Sequence, residues 1–238
     1  MISDPRPLFP CNPEGLDEIV ESLLKPYTPS EQQPSIETPL DNLVIEETSQ
    51  RDSSNNKVLE HFNDSLSSLR SRNFTRHLRP DEAFRILIDA LENPNSKYKS
   101  IKEDMLSNYG EWLSLAFLRK GDALHCYLDP ENLVWSGSIY VLQNPPLRHS
   151  GESTFDIKGI KSQERVDLKE FPAELVKLLY SRSFNQLPDI MKSGDKRSQL
   201  WIPKEDEIRP CGRGDDFDDF IVGGNCDGRA SRGVRARK

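Results

Sequence analysis

The residues whose types and spacing come nearest to a catalytic set are Asp129 and, 27 positions on, the triplet Asp156-Ile157-Lys158. Metal-dependent nucleases often place an acid at the end of one strand and an Asp/Glu-x-Lys on the next. The carboxylates hold Mg²⁺ through hard oxygen ligands while the lysine orients or stabilises the reacting groups. Asp129 closes an apolar stretch, Asp156 to Lys158 fall in an expected strand, and Glu111 on an expected preceding helix would complete the cluster. Mg²⁺ is the only cofactor any reading of this chain requires. Against this stands a plainer account: Asp-x-Lys arises by chance where 30% of residues are charged, and Asp129-Pro130-Glu131-Asn132 is turn chemistry that uses Asp for its own local hydrogen bonding.

A second set is cationic. From Leu69 to Arg79 the chain carries Arg70, Arg72, Arg76 and Arg79 with His77, no acid, and Phe74 in the middle. Arginines grip phosphate in a bidentate way and an interleaved aromatic can stack on a base, so single-stranded RNA is one expected partner. An acidic protein segment, the chain's own acidic arm or a neighbour's, is another, and a plain solvated connection is the third reading. Arg229, Arg232, Arg235, Arg237 and Lys238 add a basic tail suited to non-specific RNA contact or nuclear import. A net charge of -7 works against a dedicated duplex-DNA binder, whose affinity comes largely from counterion release by a concentrated cationic face.

Other chemistry is thinly represented. Cys11, Cys126, Cys211 and Cys226 include no Cys-x-x-Cys pair, so reduced thiols are expected rather than zinc. The acids Asp215, Asp216, Asp218 and Asp219 lack the ligand framework of a calcium loop, and Arg213-Gly214-Asp215 reads as a chance match to an adhesion tripeptide. His61, His77, His125 and His149 are scattered, and no phosphate loop or Ser–His–Asp order is visible.

A third candidate binds rather than reacts. Leu16, Ile19, Val20, Leu23 and Leu24 recur with helical spacing between Glu14 and Lys25, with Asn12 as cap, Pro13 at the first helical position and Pro26 as stop. Asp17, Glu18 and Glu21 cover the opposite face. Twelve residues make a marginal helix alone, so this stripe needs a surface, either its own domain or a partner protein's groove.

The elements that must position these residues follow from composition and periodicity. Residues 1–57 hold eleven acids, four bases and eight of the chain's seventeen prolines up to Pro39, the composition of a disordered acidic arm. Residues 58–203 hold twenty of each charge and read as one compact domain; residues 204–238 read as a disordered tail, acidic and then basic. Within the domain, helices are expected over 58–69, from Pro80 to Leu91, from Lys97 to Lys120 with a break at Gly110, and from Pro172 to Phe184. Strands are expected over 123–128, 133–142 and 153–160, with an edge strand at Leu200–Ile202. The fold class is α+β: a helical N-terminal part, then a small antiparallel sheet and a further helix, flanked by disordered arms. No leader or membrane-spanning run is apparent, so an intracellular, cytoplasmic or nuclear, protein is expected. Together these features predict a non-enzymatic interaction or regulatory protein that captures partners through its arms, of the kind a nucleoprotein or viral assembly uses. A Mg²⁺-dependent nuclease and an RNA-binding accessory protein are the alternatives.

Overall fold

The computed structural model describes residues 39–50, 61–106, 110–136, 139–141, 147–162, 165–193, 198–213, 222–224 and 230–237. Contacts divide the chain into Met1–Ser35 and Ile36–Lys238, and every described residue belongs to the second unit. The expected helix over 14–25, with Leu16, Ile19, Val20, Leu23 and Leu24, lies outside the described residues.

Two of the expected helices form, the one expected over 58–69 as 62–71 among the described residues and the one opening at Pro80 as predicted. Helix α1, Phe62–Ser71, buries Phe62, Leu66 and Leu69. It closes through Asn73, whose φ of 66° lets its N–H reach Arg70 O and the N–H of Phe74 reach Leu69 O at 3.0 Å. That paired arrangement satisfies the last carbonyls of a helix, and Asn accepts the left-handed conformation better than most residues. Helix α2, Pro80–Glu92, opens with a proline whose missing N–H costs nothing there. Its Glu82 carboxylate reaches back to the Arg79 N–H at 2.9 Å. Between the two lies β2, Arg76–His77.

The expected long helix from Lys97 to Lys120 is corrected. Helix α3 covers only Lys99–Met105, and Trp112–Lys120 is strand β3. All seven residues from Trp112 to Leu118 are buried. A strand covered on both faces reads as a continuous apolar run, which periodicity cannot distinguish from a buried helix. The helix has ended at Met105, five positions before Gly110.

The remaining elements are β1 (Leu43–Ile45), β4 (Ala123–Leu128), β5 (Val134–Ser136), β6 (Ile139–Val141), β7 (Gly151–Asp156), β8 (Arg165–Asp167), α4 (Ala173–Tyr180), α5 (Asp189–Lys192), β9 (Gln199–Trp201), β10 (Ile208–Arg213), β11 (Val222–Gly224) and β12 (Gly233–Ala236). Among the described residues the strands build a nine-stranded sheet, ordered β7-β4-β3-β10-β11-β9-β8 with β5 and β6 attached through β10, and a three-stranded sheet, β1-β12-β2. Helices packed with largely antiparallel sheet make the fold α+β. The sheet is larger than expected and carries one parallel pair, β11 with β9. The expected strand over 133–142 is the β5–β6 hairpin, and β9 lies between β8 and β11 rather than at an edge. Helices do not simply precede strands, since β1 comes before α1.

The expectation of a tail without order after Pro203 is also corrected, as is the boundary at residue 57. Strand β10 sits inside the large sheet between β3 and β11, and β12 is the middle strand of the small sheet. Pro210, which cannot donate to a ladder, falls where the β3–β10 register shifts, the position a strand proline tolerates. Composition misled because Arg213 and Arg232 are both buried, Arg213 bonding the carbonyl of Met105 and Arg232 pairing with Glu111 and Asp104 inside the fold.

β3 separates two cores. Leu113, Leu115 and Phe117 face the larger one, with Phe84 and Leu87 of α2 and Leu175 and Leu179 of α4. Trp112, Ala116 and Leu118 face a smaller one with Phe62, Leu133 and Ile208.

Candidate functional site

Strand β2 and its flanks present the cationic segment to four carboxylates from three other parts of the chain. Arg76 makes a bidentate contact to Glu82, both N···O distances 2.7 Å, and its Nε lies 3.5 Å from Asp129. Arg79 holds Asp129 through Nε at 3.1 Å and through a second bond from Nη2. Arg72 reaches Glu46 at 3.0 Å, in the segment leading away from β1, and Ser68 Oγ at 2.6 Å. Arg70 pairs with Glu131 on the surface. Phe74 is spent on packing, because a Cβ placed on Gly233 would stand 2.3 Å from its ring.

Two candidate sites read separately from sequence are thus each other's partners. Asp129, the first member of the expected nuclease set, is the counter-ion of Arg79 and Arg76. Its φ is 48°, a conformation Asp tolerates, and it also accepts a bond from Ser150 Oγ at 2.6 Å. Burial alone would raise its pKa, but the Arg79 hydrogen bond and the charges of Arg76 and Arg79 hold the carboxyl below its ordinary value.

The other members of that set lie elsewhere. Strands β4 and β7 pair with Leu128 opposite Gly151 and Ala123 opposite Asp156. Asp129 and Asp156 therefore flank opposite ends of the ladder, about 17 Å of strand apart at ~3.4 Å per residue. The oxygen ligands of a Mg²⁺ ion lie about 2.0–2.1 Å from it, so the two cannot share one. Asp156 instead accepts the Lys158 N–H at 2.9 Å, a local turn. Glu111 is not on a helix; it precedes β3 in extended conformation and faces Arg232. Among the described residues no group of three or more His, Cys, Asp or Glu is arranged to hold a metal ion.

Glu111 and Arg232, read from sequence as a metal ligand and a tail base, meet instead in a second cluster inside the fold, with Asp104 and Ser49, which sequence reasoning missed. Arg232 is fully buried; its Nη2 lies 2.8 Å from Glu111 Oε1 and also bonds Asp104, while Nη1 reaches the carbonyl of Glu46 at 2.6 Å and that of Glu47. Asp104 takes the N–H and hydroxyl of Ser49 at 2.8 and 2.9 Å. Burial opposes ionisation at both ends. The Ser49 bonds and the Arg232 charge nevertheless lower the Asp104 pKa, and Glu111 and Asp104 raise that of Arg232. Glu82 was missed too, although its place three positions after Arg79, at the start of a helix that opens with proline, is the acid position of a capping box and could have found it.

His77 and Ser65 are also in contact, Nε2 to Oγ at 3.2 Å, but both are fully buried, so no substrate reaches the hydroxyl. Burial first, and the charges of Arg72 and Arg76 second, push the His77 pKa down to about 3. On the open face of β4, His125 stands 3.2 Å from Glu152 and 3.1 Å from Thr154. No helix among the described residues is long and apolar enough to cross a membrane.

In comparisons with known proteins, no family model, curated protein or solved structure matches this chain.

Proposed function

We propose that the chain is a non-enzymatic interaction or regulatory protein. Its α+β unit is the scaffold, and the helix expected over 14–25 captures a partner protein. The observation that supports this reading most is the mutual neutralisation of the charged candidates. Arg70, Arg72, Arg76 and Arg79 bind Glu131, Glu46, Glu82 and Asp129 of their own chain, so the residues that would grip a substrate hold the fold instead. The amphipathic stripe supplies the binding energy. Burying Leu16, Ile19, Val20, Leu23 and Leu24 in a groove returns several kcal/mol at ~25 cal/mol per Å², enough to order a helix on contact. The partner fitting that face has an apolar groove with a basic rim, complementary to Asp17, Glu18 and Glu21. An intracellular setting, cytoplasmic or nuclear, accords with the free thiol of Cys126.

The test compares the full chain with a Leu16→Ala/Ile19→Ala/Leu23→Ala variant as bait. The variant should keep the wild-type melting temperature and lose the partner recovered by the wild type. Undiminished recovery sinks the reading.

A further inference from the structure

The geometry points to a strand-binding cleft between β1 and β2 that recognises an extended Arg-Gly-aliphatic tripeptide, filled in cis by Arg232-Gly233-Val234. The backbone of this segment is bound on both sides. β1 pairs with it through Leu43 opposite Ala236, Val44 opposite Arg235 and Ile45 opposite Val234; β2 pairs through His77 opposite Gly233 and Arg76 opposite Val234. Beyond these ladders, Glu46 N donates to Gly233 O at 2.9 Å, Gly233 N to Glu46 Oε2 at 2.8 Å, and Thr75 N and Oγ1 to Val234 O at 3.0 and 2.9 Å. Ser231 and Gln50 exchange both backbone bonds at 2.9 Å.

Each side chain of the tripeptide meets a different kind of selection. The first position enters a fully buried anionic pocket made by Glu111, Asp104 and the carbonyls of Glu46 and Glu47. Its several acceptors match the planar fork of Arg better than the point charge of Lys. The second position admits only Gly, because any Cβ would meet Phe74 at 2.3 to 2.7 Å. The third buries Val234 completely in the larger core. Backbone pairing supplies affinity and alternate side-chain pockets supply specificity, as in strand addition to a sheet. The donors and walls come from residues 46–50, 74–77, 104 and 111, all more than a hundred positions earlier in the sequence. The same tripeptide on another chain, including a second copy of this one, therefore meets an identical set of contacts. The proposal uses none of the residues of the capture helix and stands or falls separately from it.

The test places a protease site within residues 225–229 of the full chain, cuts it after folding, and adds labelled peptide 229–238. The cut protein should stay folded and take up the labelled peptide in place of its own. Peptides with Arg232→Lys or Gly233→Ala should compete at least about thirtyfold more weakly, the scale set by disrupting a buried charge pair, whereas Ala236→Ser should compete as wild type. Equal competition by all four peptides, or no uptake by a folded cut protein, overturns the proposal. Amide exchange on the intact Gly233→Ala chain guards against a cut that unfolds the protein. Protection should fall at residues 75 and 233–234 and persist through β3 and β4; a uniform loss means the segment is core rather than ligand, and overturns the proposal too.

Discussion

Two regions of this molecule are built from the same chemistry at different depths. Around Arg232 the guanidinium and the Glu111 carboxylate are 0% and 1% exposed, and Asp104, Ser49 and two carbonyls complete the shell. Around β2, Arg76 holds Glu82, itself only 2% exposed, Arg76 and Arg79 share Asp129 at intermediate depth, and Arg70 meets Glu131 at the rim, where the side chains are 50% and 38% exposed. Depth decides what each does. In the interior a charge without its partner carries an unrelieved desolvation cost, so the cluster acts as a unit and fixes which segments meet. At the rim water replaces a lost partner, so the pairs adjust geometry and solubility more than stability.

The largest effect should therefore come from breaking the interior unit. Glu111→Gln leaves Arg232 with half its counter-charge and should cost about 3–5 kcal/mol, read as a fall in urea midpoint at unchanged slope. Glu111→Leu combined with Arg232→Met removes the central pair together and should cost less than the sum of the two single losses, although Asp104 and the carbonyls of Glu46 and Glu47 then lose their donor. Additive losses would erase the distinction between the two regions.

This contrast also explains what was legible in sequence. Helix α2 carried a local signal, Pro80 at its start, whose physics acts within one turn. The fold class followed from expecting helices first and neighbouring strands later, although the helix-first order itself did not hold. Strand β3 was misread because burial on both faces removes the polar half of the period. The tail was misread because a buried arginine has the same letter as a solvated one, and its partners Glu111 and Asp104 are 121 and 128 positions away. The candidate site failed in the same manner. Asp129 and the arginines 70–79 were each seen as unmatched charge, since nothing local announces that a strand pairing will bring them together.

An intermediate case sharpens the comparison. Asp129→Asn keeps a residue suited to φ 48° while removing the charge that two half-buried arginines share. The expected loss is about 2 kcal/mol, the scale of hydrogen bonds to a charged group. The pH dependence gives its sign. The folded-state pKa of Asp129 lies below its ordinary value of 3.8, so the stabilisation is complete above that value and is lost as pH falls through the lower folded value. Wild type and variant should differ by a constant amount from pH 5 to 7 and converge below about pH 4. A gap that persists in acid would mean the carboxylate acts through shape alone.

His77 tests depth without an ion pair. It is neutral in the core with a pKa near 3, against an ordinary 6.5, so unfolding takes up a proton anywhere between those values. Its contribution is full above pH 6.5 and declines as pH falls towards 3, whereas Asp81, pushed up to about 6 by burial and by Glu82, contributes with the opposite sign over 3.8 to 6. A Gln at position 77 keeps a polar atom for Ser65 but does not titrate, so the difference between wild type and His77→Gln isolates the histidine. Wild-type stability should fall more steeply than the variant's between pH 6.5 and 4.5, followed by urea midpoint. Parallel pH profiles would show that His77 is not held neutral.

The smallest effect belongs at the surface. Arg70→Ala breaks the pair with Glu131 and exposes both positions to water, which screens the remaining carboxylate. Exposed pairs contribute about 0–1 kcal/mol, and less as ionic strength shortens the Debye length from ~10 Å at 0.1 M to ~3 Å at 1 M. The loss should be near the lower end of that range in 0.1 M salt and disappear at 1 M. The Glu111→Gln loss should persist at 1 M, because mobile ions do not enter the space around Arg232. If salt removed both losses equally, depth would not be the variable that separates the two regions, and the buried arginine would be no more a structural fastener than the exposed one.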